Sequence, residues 1–112
     1  LYVTKSMSGD KIFLVVNSYN YDASPAYDGT LIARLNADGT PDNAFGQNGE
    51  VFYEFAPGTL EEYFTDAEQL PDGKILLVGY VLDNSFSARS ALVRLNPNGS
   101  RDNTFGTNGL LQ

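Results

Sequence analysis

Residues 31–49 read LIARLNADGTPDNAFGQNG, and residues 91–109 read ALVRLNPNGSRDNTFGTNG. The two stretches lie 60 residues apart and agree at ten of nineteen positions. The identities are Arg34/Arg94, Leu35/Leu95, Asn36/Asn96, Gly39/Gly99, Asp42/Asp102, Asn43/Asn103, Phe45/Phe105, Gly46/Gly106, Asn48/Asn108 and Gly49/Gly109. Upstream, SGDKIFLVV at 8–16 recurs as PDGKILLVG at 71–79, now 63 residues apart. The change of offset falls in 17–29 and 80–89, which are therefore read as exposed loops, where insertions are tolerated. The chain is two copies of one unit of about 60 residues.

No helical period is sustained. The apolar segments are short, rich in Val, Ile, Leu, Phe and Tyr, and bounded by Gly, Asn, Asp and Pro. That pattern predicts strands. Each unit carries four: 2–7 and 64–70, 11–17 and 74–81, 30–36 and 90–96, then 50–55 and the stretch from 110 onward. Turns separate them at Ser8-Gly9-Asp10 or Pro71-Asp72-Gly73, and at Ala37-Asp38-Gly39 or Pro97-Asn98-Gly99, where Asp-Gly and Asn-Gly favour tight reversals. Gly9-Asp10 reverses the order of Asp72-Gly73, so the first turn of the first copy is expected to differ. The second strand, Ile12-Phe13-Leu14-Val15-Val16, is apolar without alternation, which demands cover on both faces. Stacked four-stranded sheets supply that cover, and β-propellers stack them radially. A β-sandwich is the competing arrangement. The repeat favours the propeller, because sandwich strands need not repeat. The predicted fold is all-β, with two four-stranded antiparallel blades of a β-propeller in an incomplete ring. Blade 1 spans 1–55 and blade 2 spans 56–112 with its fourth strand truncated.

Composition narrows the function. The 112 residues carry 7 basic and 14 acidic side chains, a net charge of -7. A nucleic-acid backbone selects for clustered Lys and Arg, so such a partner is not expected. The longest apolar run, Ile12 to Val16, is far too short to span a bilayer, so membrane insertion is not expected either. There is no His, Cys or Trp. Imidazole acid–base chemistry, thiol nucleophiles and disulfides are therefore excluded within these residues.

Several side chains invite a chemical reading. Arg34 and Arg94 interrupt apolar strands and need acceptors. Asp42 and Asp102, eight residues on, are expected to supply them as bidentate pairs. Phe45 and Phe105 are expected to anchor their loops in the inter-blade core. Gly46, Gly49, Gly106 and Gly109 are expected to permit positive φ. The alternating oxygens of Asn36, Asp38, Thr40 and Asp42 resemble part of a calcium loop. The metal alternative rests on Asp38 and Asp42, yet turns use the same residues, and turn structure is preferred. No cofactor is expected otherwise. The carboxylates Glu61-Glu62, Glu50/Glu54 and Asp22/Asp28 are read as solvated surface rather than a glycosidase pair. The segment NSYNYDASPAYDG at 17–29 differs from its counterpart YVLDNSFSARS. Its Tyr19, Tyr21 and Tyr27 form a candidate ligand surface, since Tyr offers rigid amphipathic contact area.

The string DGKILLVGY…ALVRLNPNGSRDNTFGTNG resembles the delta-sixty repeat family of bacterial β-propeller repeats. Both copies carry it, over nearly the whole chain. The resemblance implies a secreted or cell-surface protein of a Gram-negative bacterium, in some relatives a cargo of type IX secretion. It brings no catalytic residues. The expected role is a non-catalytic scaffold or interaction module, including adhesion, with a protein or glycan partner at the blade-end loops. The alternative is part of a propeller glycan-active enzyme whose catalytic residues lie elsewhere in a parent chain. Two units do not close a ring of about 4–8 blades. The chain starts at Leu1 and stops at Leu110-Leu111-Gln112, within the second copy's fourth strand. It is therefore expected to be an excerpt whose other partners are the remaining blades.

Overall fold

Short β-branched and aromatic runs between Gly, Asn and Asp turns fold into eight strands. The computed structural model describes residues 2–20 and 27–112. The strands are β1 (Tyr2–Ser8), β2 (Lys11–Asn20), β3 (Tyr27–Leu35), β4 (Glu50–Tyr53), β5 (Glu61–Gln69), β6 (Ile75–Leu82), β7 (Ala88–Leu95) and β8 (Leu110–Leu111). They form two four-stranded antiparallel meanders, β1-β2-β3-β4 and β5-β6-β7-β8. These are two blades of a β-propeller, an open pair and not a closed ring.

The register matches the repeat. Ile12 faces Leu35 in blade 1, and Ile75 faces Leu95 in blade 2. The first turns differ, as their sequences do. In blade 1, Ser8 pairs Lys11 across the two-residue turn Gly9-Asp10. In blade 2 the turn is longer, and Leu70 N–H donates to Lys74 O while Gly73 N–H donates to Leu70 O.

One expectation needs correction. Residues 17–29 are not a loop throughout. β2 continues to Asn20, β3 starts at Tyr27, and Ser18 pairs Gly29. The ladder persists because consecutive antiparallel pairing satisfies backbone groups that a loop would leave to water. A Cβ at Gly29 would lie 2.3 Å from the Phe52 ring, so that ring covers the glycine.

The core lies between the blades. Phe13, Val15, Ile32 and Phe45 of blade 1 pack with Phe64, Ile75, Leu77, Ala91, Val93 and Leu95 of blade 2. Phe55 and Ala56, on the connection between blades, complete it. Phe13 and Phe45 meet edge-on at 6.5 Å, and Phe55 and Phe64 at 5.5 Å. Each such ring removed from water contributes about 2–3 kcal/mol.

The second strands are not covered on both faces. Phe13 and Val15 of β2 are buried, whereas Ile12, Leu14 and Val16 on its other face are half-buried. In β6 the pattern inverts: Ile75 and Leu77 are buried, Leu76 is half-buried and Val78 is 40% exposed. Two sheets share one interface, so each keeps one apolar face outward.

Candidate functional site

Each blade holds a corner built from one Arg, one Asp and one Lys. Arg34 Nε donates to Asp42 Oδ2 at 2.8 Å, and Arg94 Nε to Asp102 Oδ2 at 2.8 Å. Local backbone makes this possible. Asp42 N–H donates to Arg34 O and Phe45 N–H to Asp42 O, which folds the loop back on its strand. The pairing is not the bidentate one expected. Asp42 Oδ1 accepts the Ala44 N–H, and Asp102 Oδ1 accepts the Thr104 N–H and hydroxyl. One carboxylate oxygen is therefore committed to its own loop.

The repeated lysine was overlooked. Lys11 Nζ lies 3.1 Å from Asp42 Oδ2, and Lys74 Nζ lies 2.7 Å from Asp102 Oδ2. Its signal was present in sequence, since the K-I pair recurs in SGDKIFLVV and PDGKILLVG. The hydrogen bond from Lys74, then that from Thr104, holds the Asp102 carboxyl well below the usual carboxylate range. For Asp42 burial pushes the pKa up. The Ala44 and Lys11 hydrogen bonds and the Arg34 charge outweigh it, so the carboxyl titrates low. Both aspartates stay ionised and keep the guanidinium fixed. Arg34 Cζ lies 4.9 Å from the Phe45 ring centre, and Arg94 Cζ lies 4.6 Å from that of Phe105.

The FG-x-NG loop ends each corner. Gln47 and Glu50 exchange both backbone hydrogen bonds around Asn48 (φ 55) and Gly49 (φ 85). Positive φ at both central residues is the type I′ turn that Asn-Gly favours. Gly46 sits at φ 55, and a Cβ there would lie 2.2 Å from Glu50 O, so only glycine fits. Gly106 and Gly109 repeat the arrangement at φ 53 and 85.

The two corners differ in what covers them. Arg34 Nη1 donates to Pro97 O at 3.0 Å, Gly46 N–H to Asn98 O at 2.8 Å, and Tyr53 O–H to Gly99 O at 2.8 Å. Three donors of blade 1 thus grip three consecutive carbonyls of a blade 2 turn. Phe105 departs from expectation here. Phe45 is fully buried under that turn, while Phe105 is half-buried on the outer face of blade 2.

Further bonds tie the blades. Asn17 Oδ1 accepts Phe64 N–H at 2.9 Å, and Asn17 Nδ2 donates to Phe64 O at 2.7 Å. Glu62 is not solvated surface. It is buried, accepting from Thr30 Oγ1 at 3.1 Å and from Ala56 N–H at 2.7 Å. Its backbone lies on the strand that meets blade 1, so the inter-blade face encloses it.

Asp38 serves its own turn. Its Oδ1 accepts the Thr40 N–H and hydroxyl, and the Thr40 hydroxyl bond lowers its pKa. Asp42 faces two cations. Among the described residues no three His, Cys, Asp or Glu side chains come together. Of the candidate tyrosines, Tyr21 lies outside the described residues, as does Asp22. The backbones of Tyr19 and Tyr27 lie in β2 and β3, opposite Asp28 and Asn20. At the same end of blade 2, Asp83 Oδ1 accepts the Ser85 and Ser87 N–H groups and shapes a hairpin. Phe86 stands in it 79% exposed, at φ 60. The sequence reading missed this residue, although a lone Phe in DNSFSARS is a visible signal. Asn84 Nδ2 donates to Gly58 O, tying the hairpin to the connection between blades.

Two stacked four-stranded meanders, locked by a repeated corner, define propeller blades. The comparisons with known proteins agree. The family described as a domain of unknown function (DUF5122) beta-propeller matches residues 10–45 and 70–105. The chain belongs to that family. No curated protein matches it, and no solved structure does.

Proposed function

We propose that this propeller repeat segment works without catalysis, as a scaffold that presents its β2–β3 and β6–β7 hairpin end to a protein or glycan partner. The observation that carries the reading is Phe86, a large ring held 79% exposed on a hairpin braced by Asp83 and Asn84. An exposed aromatic on a rigid turn offers contact area at low entropic cost. The repeat supports the same reading. Identity between copies concentrates in the corner that grips the next blade, and the hairpins are where the copies differ. The resemblance to delta-sixty repeats supports reading the segment as part of a secreted or cell-surface protein of a Gram-negative bacterium, such as an adhesin or a type IX secretion cargo.

The test is binding of the chain to an immobilised panel of bacterial surface glycans and purified surface proteins, against Phe86→Ser. Binding that weakens at least about tenfold in the variant, with unchanged thermal unfolding, supports the reading. Binding indifferent to Phe86, or none across the panel, overturns it.

A further inference from the structure

We propose that the cleft between the β4–β5 connection and the corner loop of blade 2 binds a hydroxylated monocarboxylate, such as a uronic acid unit, with Arg101 gripping the carboxylate. The site shares no residue with the Phe86 hairpin, and the inference does not rest on the scaffold role.

Glu54, Phe55 and Pro57 of the connection form one wall of this cleft, and Arg101, Thr107 and Asn108 of blade 2 form another. Its volume is about 470 Å³. Sites for small molecules run from about 300 to 1,000 Å³, so one sugar unit fits. The charged side chains that line it are one cation, Arg101, and one anion, Glu54.

Arg101 is a cation without a carboxylate. Lys11, Arg34, Lys74, Arg89 and Arg94 each reach an aspartate at 3.9 Å or closer, and among the described residues Arg101 reaches none. This holds in a chain with 14 acidic and only 7 basic side chains. The guanidinium is nonetheless held in place. Its Nε donates to Asn108 O, and its Cζ lies 5.1 Å from the Phe55 ring centre and 5.9 Å from that of Tyr53. Both rings are fixed in turn, since Phe55 is buried and the Tyr53 O–H donates to Gly99 O. Among the described residues Nη1 and Nη2 make no hydrogen bond. Those two groups form an edge that takes a carboxylate bidentately. A guanidinium already oriented loses little freedom on binding.

The local fold does not select this arginine. Arg101 stands where blade 1 has Pro41, and the backbones match, since Leu35 bridges Pro41 as Leu95 bridges Arg101. A proline therefore meets the needs of the corner. Glu54 narrows the ligand class. A dianion such as phosphate that reaches Arg101 also meets the Glu54 carboxylate, in a chain of net charge -7. That repulsion disfavours multiply charged anions. A single carboxylate carries one charge, and the hydroxyls of its ring donate to Glu54. Thr107 and Asn108 pair with further hydroxyls, and the exposed Pro57 offers the ring carbons an apolar wall.

The experiment is a titration of the full chain followed by heteronuclear NMR, with galacturonate as the probe and galactose and inorganic phosphate as controls. Galacturonate is expected to give saturable shifts at the Arg101 side-chain N–H and the Asn108 amide, with a Kd of about 1 mM. Galactose and phosphate are each expected to bind at least about tenfold more weakly. Arg101→Gln is expected to weaken galacturonate at least about tenfold. Arg101→Lys keeps the charge and the stem but not the two-pronged edge, and is expected to lose at least about threefold. Urea unfolding checks that each variant folds, and Arg101→Lys carries the test if the glutamine variant does not. Glu54→Gln is expected to keep galacturonate and to strengthen phosphate. No saturable shift up to about 10 mM galacturonate overturns the proposal. So does equal binding of galactose or phosphate, or full affinity in a folded Arg101→Lys.

Discussion

Asn17→Ala is the sharpest test of how the blades hold together. Asn17 lies at the β2 end of the inter-blade face and is buried. Its amide satisfies both backbone groups of Phe64, accepting the N–H at 2.9 Å and donating to the carbonyl at 2.7 Å. It thereby plays the part of a missing strand at the edge of β5. Alanine removes both partners and leaves the Phe64 N–H and carbonyl without them in the inter-blade face. An unsatisfied buried polar group costs about 1–3 kcal/mol, so the pair costs about 2–4 kcal/mol after partial relaxation. That is a large share of the stability of a domain this size. With a urea slope of about 1.5 kcal/mol per molar, the midpoint falls by about 1.3–2.7 M at constant slope. Far-UV circular dichroism against urea measures it. Asn17→Asp should fare worse at neutral pH, since it turns a second oxygen toward the Phe64 carbonyl and adds charge near Glu62. A midpoint shift below about 0.3 M in the alanine variant, with the native spectrum intact, would refute the reasoning.

Three further outcomes follow from the same geometry. Phe45→Ala should destabilise by about 3–5 kcal/mol, and Phe105→Ala by about half as much, because equivalent rings are covered in one blade and open in the other; paired urea titrations compare them. Asp42 and Asp102 titrate below their unfolded value of about 3.9, so their contribution is fully present above that pH and lost as pH falls through the folded values. Thermal unfolding should therefore be insensitive to these groups between about pH 5 and 7 and weaken below about 4, and Asp102→Asn should flatten that acid limb. Chelation or added calcium should leave the unfolding temperature unchanged, since Asp38 is spent on Thr40 and Asp42 on Arg34 and Lys11; a rise of several degrees with calcium would restore the metal reading.

Much of the site was legible because it is local. Arg34 and Asp42 are eight residues apart and folded together by their own turn, so spacing alone suggested the pair. The reversals at Asp38-Gly39 and Asn98-Gly99 were legible because their glycines take the positive φ, 88 and 91, that other residues resist. Lys11 was harder to assign, since its partner Asp42 lies far along the chain, in the connection between β3 and β4. Glu62 was misread because its neighbour Glu61 and its charge suggested surface, while the partners that admit it to the interior, Thr30 and Ala56, come from other segments. The extent of β2 and β3 was underestimated because Asn, Ser and Asp read as loop, although ladder pairing overrides propensity.

The sequence by itself determined the repeat, the strand order, the turns and the Arg–Asp corners. All of these arise from neighbours within one unit, where spacing limits what can meet. Only the tertiary structure decided which face of each blade is covered. It buried Phe45 and left Phe105 half-open, and it spent Arg34 on the Pro97 carbonyl. Identical residues acquired different roles because burial depends on what is stacked against a sheet, and that is not written in the residues of the sheet itself.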